Sequence, residues 1–344
     1  PPTDNHTTLF SSAASDVYKR QALITSRPNA TILTAVPEVD ARDWTITAPS
    51  TDELGDDLVH LATTGGRHLP VEVDHALAHF ASNPPRSGAL LIRNVPLGAL
   101  PRTPERPDAV VDKDLATELG LLTVSRRLGQ PVGYVPEHGG RIVQNLVPTR
   151  SDTDRQTSTS SRSNLMFHTE TAFHPHRPRY LLLLCLRGDP SAHTTLASVH
   201  DIMDHLPDDI VATLFEPRFR TAVDVSFLAG RPNEFGPVRP VITGTRAEPT
   251  FVFDADLTVG IDGEAEDALV AVRTAIERVQ TSVVLEPGDL LVIDNNVAVH
   301  GRSPFTARFD GTDRWLQRAF VVADLAPSAG ERDGRVITTE FGRG

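Results

Sequence analysis

The chain has 344 residues, 39% of them hydrophobic and 23% charged, with a formal net charge of -12, which is ample for one sizeable core. The acidic balance argues against a nucleic-acid surface, which needs a basic patch. No apolar run approaches the roughly 18 residues that a membrane helix needs. Cys185 is the sole cysteine, so no intrachain disulfide can form and a reducing cytoplasm is the expected location.

Residues 1–21 stand apart. Ser12–Gln21 resembles the translated end of a sequencing adapter, and no charged segment followed by an apolar stretch marks a secretory signal. These residues are expected to be non-native, with a single domain over 22–344 and its core at about 85–325. Thr51 starts a predicted helix with Leu54, Leu58 and Leu61 in step, and Pro70 starts another carrying Val73, Leu77 and Phe80. Ser87–Val95 reads as a buried strand entered through glycine. A proline-rich loop, 101–107, leads to a helix marked by Leu115, Leu119 and Leu122 that ends near Gly129. Residues 148–164, rich in Ser, Thr, Arg and Asp without an apolar period, predict a mobile loop.

Tyr180–Leu186 is a continuous apolar run of strand length, expected to be buried on both faces. Thr194–Ser198 follows as a strand, with Ser198 capping a helix that carries Ile202, Leu206 and Ile210. Thr250–Asp254 reads as a strand. Residues 264–280 form an amphipathic helix with Leu269, Val272, Ile276 and Val279 on one side. Strands at 283–285, 289–294 and 315–322 close the chain. Helices in front and strands behind suit one α+β domain around a β-sandwich or barrel.

The chemistry is concentrated in His168-Thr169-Glu170 and in His300. Residues two apart on a strand share a face, whereas on a helix they would diverge by about 200°. Two imidazoles and one carboxylate form the set that holds non-haem Fe(II) on one face and leaves the other open for oxygen chemistry. Arg314 follows on the next predicted strand, a rigid guanidinium suited to a carboxylate partner. Such a set also fits a cupin-type metal-binding isomerase or a non-catalytic scaffold.

His168-x-Glu170, Asn295-Asn-x-x-Val-His300-Gly-Arg302 and Phe309-Asp-Gly-Thr-Asp-Arg314-Trp-Leu-Gln-Arg318 resemble the Fe(II)/2-oxoglutarate oxygenases of the clavaminate synthase-like group. Within it they are most similar to hydroxylases of free arginine or asparagine. The resemblance implies a double-stranded β-helix (jelly roll) with flanking helices, using Fe(II), 2-oxoglutarate and O2. It further implies iron on His168, Glu170 and His300, with Glu170 also facing the substrate; a carboxylate here argues against a halogenase. By the same resemblance Arg314 binds the far carboxylate of 2-oxoglutarate with support from Thr195. Arg318 receives the α-carboxylate of the amino acid and Gln144 its α-amino group.

Asp254 and Asp256, read as lying on one strand face, can grip a guanidinium through charge-assisted hydrogen bonds, with Asp224 as a third acid from a lid loop. The expected substrate is L-arginine or a guanidine or ureido analogue, hydroxylated at Cβ in natural-product biosynthesis. Asparagine, glutamate or another amino acid is the alternative. His174 and His176 are expected to pack rather than ligate, Cys185 to be buried and inert, and Arg302 to orient its neighbours. Number of hydroxylations, stereochemistry and oligomeric state are not specified by the sequence.

Overall fold

The computed structural model describes residues 36–41, 44, 46, 56–64, 69–228 and 230–342. The expectation for residues 1–21 lies outside these, as do Thr51 and Leu54 of the first predicted helix. Strand β1 (Glu38–Asp40) pairs in parallel with β2 (Ala89–Arg93), and helices α1 (Asp56–Thr64) and α2 (Val71–Ser82) lie between them in sequence. Helix α3 (Ala116–Leu128) precedes β3 (Gln130–Tyr134), β4 (Val143–Leu146), β5 (Leu165–His168), β6 (Tyr180–Arg187) and β7 (His193–Ser198). Next come α4 (Val199–Met203), α5 (Asp208–Leu214), β8 (Phe219–Thr221), α6 (Val225–Leu228), β9 (Ile242–Gly244), β10 (Pro249–Phe251) and β11 (Thr258–Gly260). The long α7 (Gly263–Val279) leads into β12 (Thr281–Val284), β13 (Leu290–Asp294), β14 (Ala298–Arg302) and β15 (Trp315–Val322), with the short β16 (Arg332–Asp333) and β17 (Val336–Ile337) last.

Two sheets organise the molecule. The larger runs β1-β2-β13-β6-β15-β3-β17-β16, with β4 also on β15; the smaller runs β12-β7-β14-β5. The alternation of β6 shows how they pack. Leu181, Leu183 and Cys185 point into a core shared with Leu196 of β7 and Ala298 of β14, so this core lies between the sheets. Leu182, Leu184 and Leu186 point the other way, against Val73, Leu77 and Phe80 of α2 and Leu121 and Val124 of α3. Both faces of the apolar run are therefore covered, as expected. A third cluster sets Leu269, Val272 and Ile276 of α7 against Ala197 and Val299, on the outer face of the smaller sheet. Burial of each such side chain contributes roughly 1.5–3 kcal/mol.

The local signals explain most boundaries. Asp262 caps α7, its Oδ1 accepting from the Ala265 amide at 2.9 Å, a contact worth about 1 kcal/mol. Ser198 caps α4 as predicted, accepting from the His200 amide at 3.2 Å. The helix expected to continue through Leu206 and Ile210 instead breaks before Pro207, and α5 starts anew at Asp208; proline has no N–H to continue the ladder. The predicted strand 250–254 is also shorter. It ends at Phe251, and Asp254 makes only an isolated bridge with His168 before a turn. Among the described residues no helix is long and apolar enough to cross a membrane.

Candidate active site

His168 ends β5 and His300 is central in β14, and the antiparallel register sets them directly opposite each other. Their rings therefore lie 4.3 Å apart, centroid to centroid. Gly301 allows this pairing: a Cβ there would stand 2.5 Å from the Leu165 carbonyl oxygen. Glu170 is not on the strand, as the alternation argument supposed, but in the turn that follows β5. Thr171, at φ 49, reverses the chain. The side chain of Asn295 holds this turn: Oδ1 accepts from the Glu170 amide at 2.8 Å, while Nδ2 donates to the carbonyls of Glu170 and Pro178.

Glu170 Oε2 thus lies 3.8 Å from His168 Nε2 and 3.3 Å from His300 Nε2. One donor atom from each of the three residues falls within 4.8 Å of the others. The Nδ1 of His168 is 2.8 Å from the Met166 carbonyl, which as acceptor orients the ring and turns Nε2 toward the cluster. Burial opposes charge on His168, but Glu170 outweighs it and raises the imidazole to about 9. Burial, together with His168, lowers His300 to about 4. Despite burial, Arg318 and the two imidazoles hold the Glu170 carboxyl well below its ordinary range. Once His168 gives up its proton as the metal binds, two imidazole nitrogens and a carboxylate converging in this way fit a divalent iron site with an open face.

The triad lies in a cavity of about 830 Å³ that also takes in Arg314, Thr194, Arg318, Asp224, Asp254 and Asp256. The Phe309–Arg314 stretch acts as a turn that delivers Arg314 to β15. Gly311 sits at φ 82, and the Asp313 carboxylate accepts the amides of Arg308 and Phe309, both at 2.6 Å. Arg314 is 7% exposed and faces the Phe305 ring at 5.9 Å. Burial lowers its pKa. No described hydrogen bond or ion pair neutralises it, so it is a fixed positive charge awaiting an anion.

The hydroxyl beside it is not the expected one. In the register of β7 with β14, Thr195 opposes Gly301 and Thr194 opposes Arg302. Thr195 consequently shares the outer face with Ala197, and it is Thr194 whose side chain lines the cavity. The buried Oγ1 of Thr194 has no protein partner. A one-residue error on a strand moves a side chain to the other face. Arg302 also lines the cavity and acts as expected on its neighbours, donating to the Ser160 carbonyl and hydroxyl at 2.8 Å each. It thereby ties the 149–163 loop to β14. That loop is internally bonded: Asp152 Oδ2 accepts from Thr149 and Thr159, at 2.9 and 2.8 Å.

Arg318, within β15, lines the same cavity as Arg314 just before the strand. It donates to Glu170 Oε1 at 3.1 Å and Glu137 Oε2 at 2.6 Å, and from Nε and Nη2 to Gln144 Oε1 at 2.9 and 2.6 Å. Gln144 is paired across from Arg318 in the β4–β15 register but is 1% exposed and does not line the cavity. Its oxygen is committed to Arg318. Glu137, which the sequence reading passed over, does line the cavity. It follows Pro136 in a loop continued by His138 and two glycines at positive φ, and only this turn chemistry could have drawn attention to it.

Asp254 and Asp256 do not share a strand face. Asp254 Oδ1 accepts from the amides of Asp256 and Leu257, at 2.8 and 2.9 Å, and so builds the turn that carries Asp256. Both nevertheless line the cavity, as does Asp224. Burial raises Asp254 to about 6. Burial and then the nearby Asp224 raise Asp256, a cluster of like charges that a cation would relieve. His174 and His176 stand clear of the triad: His174 is 1% exposed, accepts the His176 amide at 2.9 Å and packs edge-on against Tyr134 at 5.0 Å. Cys185 is fully buried, and desolvation raises its thiol to about 12.

The family model described as Taurine catabolism dioxygenase TauD, TfdA family matches residues 85–320. The L-asparagine oxygenase of Streptomyces coelicolor is 36% identical over 301 residues, covering 86% of this chain and 90% of that protein. The L-lysine 3-hydroxylase of Catenulispora acidiphila is 38% identical over 288 residues, covering 81% and 80%. Among solved structures, the non-heme iron oxygenase OrfP in complex with Fe, succinate and (3S)-hydroxy-L-Arg superposes with a TM-score of 0.72 at 32% identity. That match covers 82% of this chain and 89% of the other.

Proposed function

The chain belongs to the Taurine catabolism dioxygenase TauD, TfdA family, and from that premise we propose that it hydroxylates a free L-amino acid, L-arginine or a guanidine or ureido analogue, at Cβ. It is an Fe(II)- and 2-oxoglutarate-dependent oxygenase of the kind that acts on amino acids. The isomerase and scaffold alternatives lose their ground with that membership. The two facing sheets support the reading of its core as a double-stranded β-helix.

His168, Glu170 and His300 would hold the iron. When bound, the metal couples the oxidative decarboxylation of 2-oxoglutarate by O2 to insertion of oxygen into a C–H bond. The protein's own task is placement. Arg314 takes the far carboxylate of 2-oxoglutarate, with the unpaired Thr194 hydroxyl on the same wall. Arg318 takes the α-carboxylate of the amino acid. Because Gln144 stands behind the cavity wall whereas Glu137 and Glu170 line it, the α-ammonium group falls to these two carboxylates, so the slot offers charges complementary to a zwitterion. Asp254, Asp256 and Asp224 then face the side chain.

This acidic wall in the same cavity as the triad is the observation that carries the arginine reading. A second reading, L-asparagine, is favoured by the likeness to the asparagine oxygenase. The test is anaerobic loading with Fe(II) and 2-oxoglutarate, then aeration with a panel of free amino acids, following succinate and the gain of oxygen by mass. Oxygen gain with arginine is expected. Gain with asparagine alone would transfer the substrate to the second reading, and no gain with any amino acid would sink the substrate class.

A further inference from the structure

We propose that Thr338–Phe341, near the C-terminus, is a strap that positions α6, and through it Asp224 and Phe227, over the amino-acid end of the cavity. The role assigned to Asp224 rests on the reading of the acidic wall just given. Helix α6 has four residues, too few to be stable by its own hydrogen bonds, and Val225 at its start is 70% exposed. Asp224 leads into it, with Oδ1 accepting the amide and hydroxyl of Ser226 at 2.8 and 2.7 Å. The position of the helix therefore sets the position of this acid.

Phe341 supplies what the helix lacks. Its ring stands 5.3 Å from Phe173, 5.3 Å from His174 and 6.1 Å from Phe227, edge-on in each case. Phe173 and Phe227 are themselves cavity walls. Arg231, whose amide donates to the Leu228 carbonyl at the end of α6 at 2.9 Å, binds the strap from the other side. It pairs with Glu340 at 3.1 Å and donates to the Phe341 carbonyl. The strap is anchored away from the lid: the Thr338 amide donates to the Glu331 carbonyl at 2.8 Å and the Thr339 hydroxyl to its carboxylate at 2.6 Å. The Arg231–Glu340 pair is exposed and contributes little alone, so the aromatic contacts dominate.

Phe341 and Arg231 are thus positioning residues; neither lines the cavity. Phe341→Ala in the full chain should raise KM for L-arginine about tenfold while KM for 2-oxoglutarate stays unchanged, and Phe341→Leu should restore most of the loss. Amide hydrogen exchange over 224–231, read without any amino acid, should quicken in Phe341→Ala. Arg231→Ala gives the same test should the first variant fold poorly, with a smaller rise. Unchanged exchange over 224–231 in both variants overturns the strap whatever the substrate is. Equal rises in both KM values overturn it too, since they mark a general loss of structure. Faster exchange in a protein whose wild type leaves arginine unoxidised supports the strap and counts against the arginine reading.

Discussion

The metal end of the cavity is held by sheet pairing, whereas its acidic end is held by turns and a four-residue helix. His168 and His300 are locked by register, Glu170 by both ends of the Asn295 amide, and Arg314 by a turn that Asp313 closes. At the other end, Asp256 hangs on a turn built by Asp254, and Asp224 leads into α6, which leans on a strap. A reaction that must place a small co-substrate within fractions of an ångström suits the first construction. A pocket whose relatives take asparagine in one protein and lysine in another suits the second, since loops can change without disturbing the sheets.

The contrast can be broken by mutation. The largest effect is expected at the triad: His168→Ala should lower 2-oxoglutarate-dependent succinate formation by a factor on the order of 10³ or more, and undiminished turnover would remove the iron assignment. Next is Arg314→Ala, which should raise KM for 2-oxoglutarate about 10–100-fold with little effect on KM for the amino acid. The smallest effect sharpens the register argument. Thr194→Val should raise KM for 2-oxoglutarate roughly threefold to tenfold, while Thr195→Val leaves it unchanged; the reverse pattern would mean that the face assignment of β7 is wrong.

Much of the metal end was legible in the sequence because its logic is periodic. Tyr180–Leu186 and Trp315–Val322 announce themselves as apolar runs, and Arg318 of β15 and Arg314 just before it both line the cavity. The same logic misplaced Thr195 by one residue, because no polar-apolar alternation marks which threonine of the Thr194-Thr195 pair faces inward. Glu170 reached the triad through a turn rather than the strand face expected of it. The acidic end was legible in composition only. Asp254 and Asp256 are in the cavity, but through a side chain–backbone turn that resembles a strand when read as sequence. Gln144 stands behind the cavity wall and Glu137 lines it for a reason invisible in one dimension: cross-strand pairing commits the Gln144 oxygen to Arg318.

The most direct measurement is kcat/KM for L-arginine in Asp256→Asn, with KM for 2-oxoglutarate as the internal control. Removing one carboxylate from the acidic wall should cost about 10-fold or more in kcat/KM for arginine and leave the 2-oxoglutarate value where it was. An arginine kcat/KM equal to that of the wild type would contradict the assignment of that wall to a cationic side chain.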